Sequence, residues 1–258
     1  MQHVSTPAGI SLSFDRIGSG PPLVLVHGSF SDHRSNWGQV MPLLAERFTV
    51  YAVARRGRGD TTATEGHSVE DEATDIAALI ESIGEQVFLL GHSYGAQVAL
   101  AAAVRLPGRV RKLVLYEPPW PDTVSEEGLQ RLEELARAGD WDAFATFFFR
   151  SELDVPAEVL EEMRASEDWS AITADAEATL HDVRAMCRYD FNADRFHDLR
   201  LPVLLQVGTE SPRENFVTDA LAEALPEVSI DELDGQAHEG MQTAPELYAG
   251  SVVRFLLS

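Results

Sequence analysis

The residues Gly91-His92-Ser93-Tyr94-Gly95, inside VFLLGHSYGAQVALAAA, set a hydroxyl between small neighbours. An apolar run of strand length comes before them and an alanine-rich helical run after. That context puts Ser93 on a sharp strand-to-helix corner, where the residues two before and two after must be small for the backbones to pass. It also puts the free N–H groups of a helix N-terminus beneath the hydroxyl, where they stabilise developing negative charge. The chemistry is nucleophilic attack by a serine. It requires an imidazole base and a carboxylate that fixes the imidazole tautomer. Of the eight histidines, His238 is the one that follows a late strand, in DELDGQAHEGMQ, and it is the expected base. His3, His33 and His67 fall in early loops, and His181 and His197 in a helical region. Glu239, the neighbour of His238, could tune its pKa.

A second stretch, LVLVHGSFSDHRSNW, is an apolar strand that ends in His27-Gly28 and a small polar residue. It looks like the loop that donates the other oxyanion N–H, so that a reacting carbonyl oxygen would lie between the amides of Ser29 and Tyr94. His27 reads as structural, with its ring holding the loop. Phe30 and Trp37 read as pocket walls or as core.

These residues are carried by an alternating chain. Period-two apolar positions Ile10, Leu12 and Phe14 are followed by a Gly-Ser-Gly-Pro-Pro turn and by the strand run LVLV at 23–26. A helical pattern at Val40, Leu43 and Leu44 precedes the strand FTVYAV. In SVEDEATDIAALIESIG, Ile76, Leu79, Ile80 and Ile83 repeat at helical spacing. The strand VFLL, the helix YGAQVALAAAVRLP and the strand KLVLY follow. Short apolar runs separated by helices mean parallel strands covered on both faces. From Pro118 to Leu199 strand-like runs give way to successive helices rich in Ala, Glu, Leu and Arg. The alternation then resumes with PVLLQV, the helix FVTDALAEALP, a strand near SIDELD and the helix PELYAGSVVRFLL. The expected organisation is one α/β core, residues 1–118 and 200–258, interrupted by a helical cap over 119–199.

With the His27-Gly28 loop, the elbow at 91–95, the late His238 and a helical insertion, the whole chain resembles the α/β-hydrolase fold superfamily, of the serine hydrolase or esterase type. The turn ARRGRGDTT at 54–62 resembles that superfamily's turn after strand four, with Ala54 where many members carry Asp. The resemblance implies an eight-stranded, mostly parallel twisted sheet with helices on both faces. The cap would be inserted after strand six, and Ser, acid and His would stand at the C-terminal strand ends.

The acid is the unusual part. The resemblance implies a carboxylate after strand seven, three residues past Gly208, and in LLQVGTESPR that residue is Ser211. Glu210 is adjacent, but successive residues leaving a strand point in different directions. In KLVLYEPPWPD, Glu117 directly follows the apolar run, and Pro118-Pro119 stiffens the exit. A carboxylate ending a buried strand is costly without a partner, and some members of the superfamily, certain haloalkane dehalogenases and fungal lactone hydrolases among them, place a glutamate at this corner. The sequence favours Glu117 over Glu210. A role as a cap for the linker is the bland alternative.

The expected activity is hydrolysis of carboxylic esters of small hydrophobic substrates through an acyl-enzyme. Trp120, Trp141, Phe144, Phe147, Phe148 and Phe149 supply apolar surface, and Trp120 and Phe148 join Phe30 and Trp37 as candidate pocket residues, although FATFFF also fits ordinary core. A lactonase or cofactor-free perhydrolase on the same triad, or a small-ligand binder without turnover, are the alternatives. Serine in the elbow argues against dehalogenase and epoxide hydrolase chemistry, which need a carboxylate nucleophile. C-x-x-C, H-E-x-x-H and Walker motifs are absent, so neither metal nor organic cofactor is expected.

The 258 residues carry 20 Lys+Arg against 42 Asp+Glu, a net charge of −22. That field repels nucleic acid and anionic membranes. Much of it lies between Asp122 and Asp182 and reads as a solvated helical face. No apolar run is long enough to span a membrane, no signal-peptide pattern opens the sequence, and the single Cys187, read as a small buried hydrophobe, forbids an intrachain disulfide. A cytoplasmic protein is expected, with self-association as a homo-oligomer left open.

Overall fold

Strands with continuous apolar runs bury both faces, and here alternate residues of each run enter two different cores. The structure, a computed structural model, describes residues 1–62 and 66–258. Its strands are β1 (Gln2–Ser5), β2 (Ser11–Gly18), β3 (Pro22–Val26), β4 (Thr49–Ala54), β5 (Val87–His92), β6 (Val110–Tyr116), β7 (Val203–Gly208) and β8 (Val228–Leu233). They form one eight-stranded sheet in the order β1-β2-β4-β3-β5-β6-β7-β8. β1 pairs antiparallel with β2, and β2 antiparallel with β4; from β4 to β8 all pairs are parallel.

Val24, Val26, Leu89, Leu113 and Leu205 face one side, against the helices Val69–Ile83, Tyr94–Arg105 and Thr218–Ala224. Leu23, Leu25, Leu90 and Val114 face the other, against Met41–Ala45 and Pro245–Leu257. This period-two partition is what the pleat imposes on a doubly covered strand. The helix Val69–Ile83 starts with a capping box, in which Ser68 accepts from the Asp71 N–H and the Asp71 side chain accepts from the Ser68 N–H, and it ends at Gly84 with φ 84°.

Between β6 and β7 lie the helices Glu126–Arg137, Trp141–Phe147, Ala157–Ala165 and Trp169–Met186, with a π-helical turn over Phe148–Glu152. They have a small core of their own, including Leu132, Phe144, Leu180 and Val183, and Phe30 from the sheet side packs into it. The widened π turn lets successive residues reach the same target: the rings of Phe148 and Phe149 lie 5.0 and 4.9 Å from that of Phe30.

Two expectations change. Trp37 is fully buried in the core on the Pro245–Leu257 side, edge-on to His92 at 6.3 Å. It backs the strand-to-helix corner and walls no pocket. Cys187 caps the C-terminal end of Trp169–Met186 and is exposed, because the helix stops there and turns its last residue outward. Among the described residues no helix is long and apolar enough to cross a membrane.

The corner at Ser93 depends on two glycines. A Cβ on Gly95 would collide with the carbonyl oxygens of Val26 and His27, and one on Gly91 with the backbone of Gly95 and Ala96. Backbone cannot yield as a flexible side chain can. Gly95→Ala should therefore destabilise the protein by about 1–3 kcal/mol, the usual cost of overpacking, as read by urea unfolding.

Candidate active site

Ser93 leaves β5 with φ 55° and ψ −127° and opens the helix Tyr94–Arg105. So strained a backbone persists only where its surroundings over-determine it. Here the Ser93 N–H donates to Tyr116 O at 2.9 Å, and its carbonyl accepts from Ala96 N–H at 2.8 Å. The sheet register pairs His92 with Tyr116, which sets Ser93 beside Glu117, the residue that follows β6.

Glu117 has no solvent exposure and also adopts positive φ, 48°, although it precedes a proline, which biases a residue towards extended backbone. Its own N–H donates to Gln206 O at 3.2 Å. One carboxylate oxygen accepts from Gly208 N–H at 2.7 Å, and the other lies 2.5 Å from His238 Nδ1. Nδ1 thus carries the proton, and Nε2 keeps its lone pair. Ser93 Oγ and His238 Nε2 have no hydrogen-bond partner among the described residues.

The loop after β8 that carries His238 is pinned from below. Tyr116 Oη donates to Ala237 O, Gly240 N–H donates to Tyr116 Oη at 3.3 Å, and His92 Nε2 lies 3.0 Å from His238 O. Phe216 stacks on the imidazole, with centroids 5.4 Å apart and planes 10° apart. Burial pulls the His238 pKa down, but the hydrogen bond and charge of Glu117, with Glu239 adding to them, outweigh it and raise the pKa above the usual imidazole value. Glu210, in contrast, is exposed and makes no side-chain hydrogen bond among the described residues. Ser211 carries no acid to replace it.

The His27–Phe30 loop lies directly over the corner: a Cβ on Gly28 would stand 3.0 Å from Ser93 Cβ. Among the described residues, neither the Ser29 nor the Tyr94 backbone N–H has an acceptor. His27 is fully buried and kept neutral, its pKa lowered by burial and then by Arg55 and Arg58. Its Nδ1 bonds Gly28 O at 2.8 Å, and its Nε2 accepts from Arg55 N–H at 3.2 Å. Phe30 and Phe148 are half-buried against each other. Trp120 is half-buried too, but it packs on the sheet core and on Phe191 at 5.6 Å.

A buried ionic cluster that no local sequence pattern signals lies against this loop. Arg55 reaches Glu72 through Nη1 at 3.1 Å and Asp182 through Nη2 at 2.8 Å, and Arg58 reaches Asp175 and Asp182 at 2.8 Å each. Arg55, Arg58, Glu72 and Asp182 are buried. The two guanidinium groups hold Asp182 far below the usual carboxylate range against the opposing effect of burial. Asp182 and Asp175 are thus exceptions to the solvated acidic face expected of the insertion. Among the described residues, two groups of side chains have ligand atoms close enough for a metal ion, His92-His238-Glu239 and His67-Glu72-Asp182. The carboxylates of the second are already committed to arginine, and in the first His238 Nδ1 is committed to Glu117.

Comparison with known proteins agrees with this fold. An α/β hydrolase from Sphaerobacter thermophilus superposes with a TM-score of 0.87 at 32% identity, covering 99% of this chain and 100% of that one. A 2-(acetamidomethylene)succinate hydrolase from Mesorhizobium japonicum is 28% identical over 96% of this chain and 92% of its own length. A pimeloyl-[acyl-carrier protein] methyl ester esterase from Methylococcus capsulatus is 33% identical over 43% of this chain and 46% of its own. The model of the alpha/beta hydrolase family matches residues 23–251. With its sheet, its corner serine and this match over most of its length, the chain belongs to the alpha/beta hydrolase family.

Proposed function

We propose that the protein is a serine hydrolase that cleaves carboxylic esters of small hydrophobic substrates through an acyl-enzyme. The observation that carries this reading is the 2.5 Å contact between the Glu117 carboxylate and His238 Nδ1, made beside a serine held at positive φ. Nδ1–H bonded to Glu117 leaves Nε2 free to take the Ser93 proton as Oγ attacks the ester carbonyl. The Ser29 and Tyr94 N–H groups receive the oxyanion. The imidazolium, stabilised by Glu117, returns its proton to the leaving alkoxide. Water activated by His238 then releases the acid.

An uncharged acyl group fits the surroundings best. Phe30 adjoins the oxyanion loop and Phe216 lies against His238, so apolar rings flank the reacting centre. The buried arginines nearest the loop are neutralised by Glu72, Asp175 and Asp182, and they offer no spare charge to an anionic substrate such as the succinate derivative named for one relative. The family resemblance and the relative named as a methyl ester esterase support ester cleavage.

Short-chain p-nitrophenyl esters are the first assay. Turnover by the wild type, its loss in Ser93→Ala, and labelling of Ser93 by a fluorophosphonate probe are expected. No turnover and no labelling would sink the reading.

Glu117→Gln should lower kcat by roughly 10³–10⁴-fold, the cost of removing a triad acid, while Glu210→Gln leaves kcat near wild type. The reverse pattern would return the role to Glu210.

His238 must be neutral to act as base, so kcat/KM rises with pH through its pKa. Because Glu117 raises that pKa, the midpoint of the acid limb should lie above the ordinary imidazole value of about 6.5. In Glu117→Gln the hydrogen bond to a carboxylate and its charge are lost, while burial and the smaller effect of Glu239 remain, so the limb of the residual activity should move to lower pH. A pH–rate profile of both proteins checks this.

A further inference from the structure

The two residues whose amides are proposed to hold the oxyanion are both tied, through their side chains, to one buried ionic cluster. Ser29 Oγ donates to Asp182 Oδ2 at 2.8 Å. Tyr94 Oη donates to Glu72 Oε1 at 2.9 Å, and its ring lies 4.5 Å beneath the Arg55 guanidinium. Arg55 bridges the two carboxylates, with Nη1 on Glu72 and Nη2 on Asp182. The same arginine fixes the loop backbone: Nε donates to His27 O at 2.9 Å and Nη2 to Gly28 O at 3.0 Å. Phe30, the residue after Ser29, has positive φ, 53°, and its N–H donates to Thr179 Oγ1 at 2.8 Å. Thr179 and Asp182 belong to the insertion helix Trp169–Met186. The helical insertion therefore grips the oxyanion loop from above, while Arg55 grips it from the sheet.

A cluster of this kind is a poor investment in stability alone. Desolvating several ions offsets most of their mutual attraction, and apolar replacements of like volume are often as stable. What it supplies is fixed geometry. An oxyanion hole works only when both donors stand about 2.7–3.1 Å from the oxygen as it becomes charged, and small displacements of such groups cost rate steeply.

We infer that the Arg55–Glu72–Asp182 cluster is a positioning device that sets the spacing of the Ser29 and Tyr94 amides, with Asp182 carrying the insertion's share of the task. The inference rests on the serine-hydrolase reading of Ser93. Asp182 and Glu72 act through Ser29 and Tyr94 and touch no reacting atom.

The side-chain links can be cut while the amides remain. Ser29→Ala removes the hydroxyl that reaches Asp182, and Tyr94→Phe the hydroxyl that reaches Glu72. Neither change strips Arg55 or Arg58 of its ion pairs, so both variants should fold. On p-nitrophenyl butyrate each should lose about tenfold in kcat, part of the about 10²–10³-fold cost of deleting an oxyanion donor outright, with KM within about twofold. Fluorophosphonate labelling should slow by the same factor, because the phosphoryl oxygen enters the same hole. Ser29→Thr, which keeps the hydroxyl, should restore most of the loss. Unchanged kcat in both variants, a change confined to KM, or a threonine variant no faster than the alanine one would overturn the inference. If the wild type neither turns over esters nor labels, the serine-hydrolase reading fails and takes the inference with it. Wild-type turnover with indifferent Ser29 and Tyr94 variants sinks the positioning role alone.

Discussion

A carboxylate sealed from water must be answered by donors, and the fully buried Glu117 is the group around which the site is arranged. Its two oxygens are met by Gly208 N–H and His238 Nδ1, contributed by β7 and by the loop after β8. Two other chain segments are thereby locked to the side chain that follows β6. The cost is visible in the backbone: Glu117 and Ser93, neighbours at the ends of β6 and β5, both sit at positive φ, a conformation that costs about 1–3 kcal/mol at a non-glycine residue. Parallel pairing on both sides of β6 holds them there, so the strain of the site is supported by the most buried part of the sheet.

The second constraint is ionic. Arg55 and Arg58 lie in the turn after β4, and Asp182 stands 127 residues beyond Arg55 on the insertion. Burying these charges makes them mutually dependent, because removing one partner would leave another unpaired in a low-dielectric interior. The insertion is thus joined to the sheet by something more directional than apolar contact. The aromatic cluster of Phe30 with Phe144, Phe148 and Phe149 supplies area, and the ionic cluster supplies register.

Much of this was legible in the sequence, for identifiable reasons. β2 to β8 and the helices of the sheet announce themselves by period and run length, and the helix Val69–Ile83 begins and ends at the residues that capping chemistry names. β1 did not, since three of its four residues are exposed and an exposed edge strand has no apolar period to read. Glu117 was legible because a carboxylate closing an apolar run violates the local pattern. The ionic cluster was not: Asp182 in LHDVRAM looks like any acidic residue on a helix, and only the fold brings it to Arg55. Trp37 and Cys187 were misjudged for a related reason. Residue type alone does not say which side of a loop faces the core, or whether a helix ends at the surface.

The corner after β7, without a carboxylate at Ser211, still serves His238 by other means. Thr209 N–H donates to Leu233 O and Glu210 N–H to Gln236 O, while Gly235 N–H donates to Thr209 Oγ1. The turn holds the His238 loop by two main-chain bonds and the Thr209 hydroxyl, and the end of β6 supplies the charge. The two tasks meet at Gly208, whose N–H orients the Glu117 carboxylate and where a Cβ would strike the backbone of Gln236. Charge delivered from β6 and anchorage from β7 converge on the same imidazole. A carboxylate added at the surface of the β7 turn would therefore duplicate neither function: the anchorage is already made by backbone, and the single Nδ1–H is already taken.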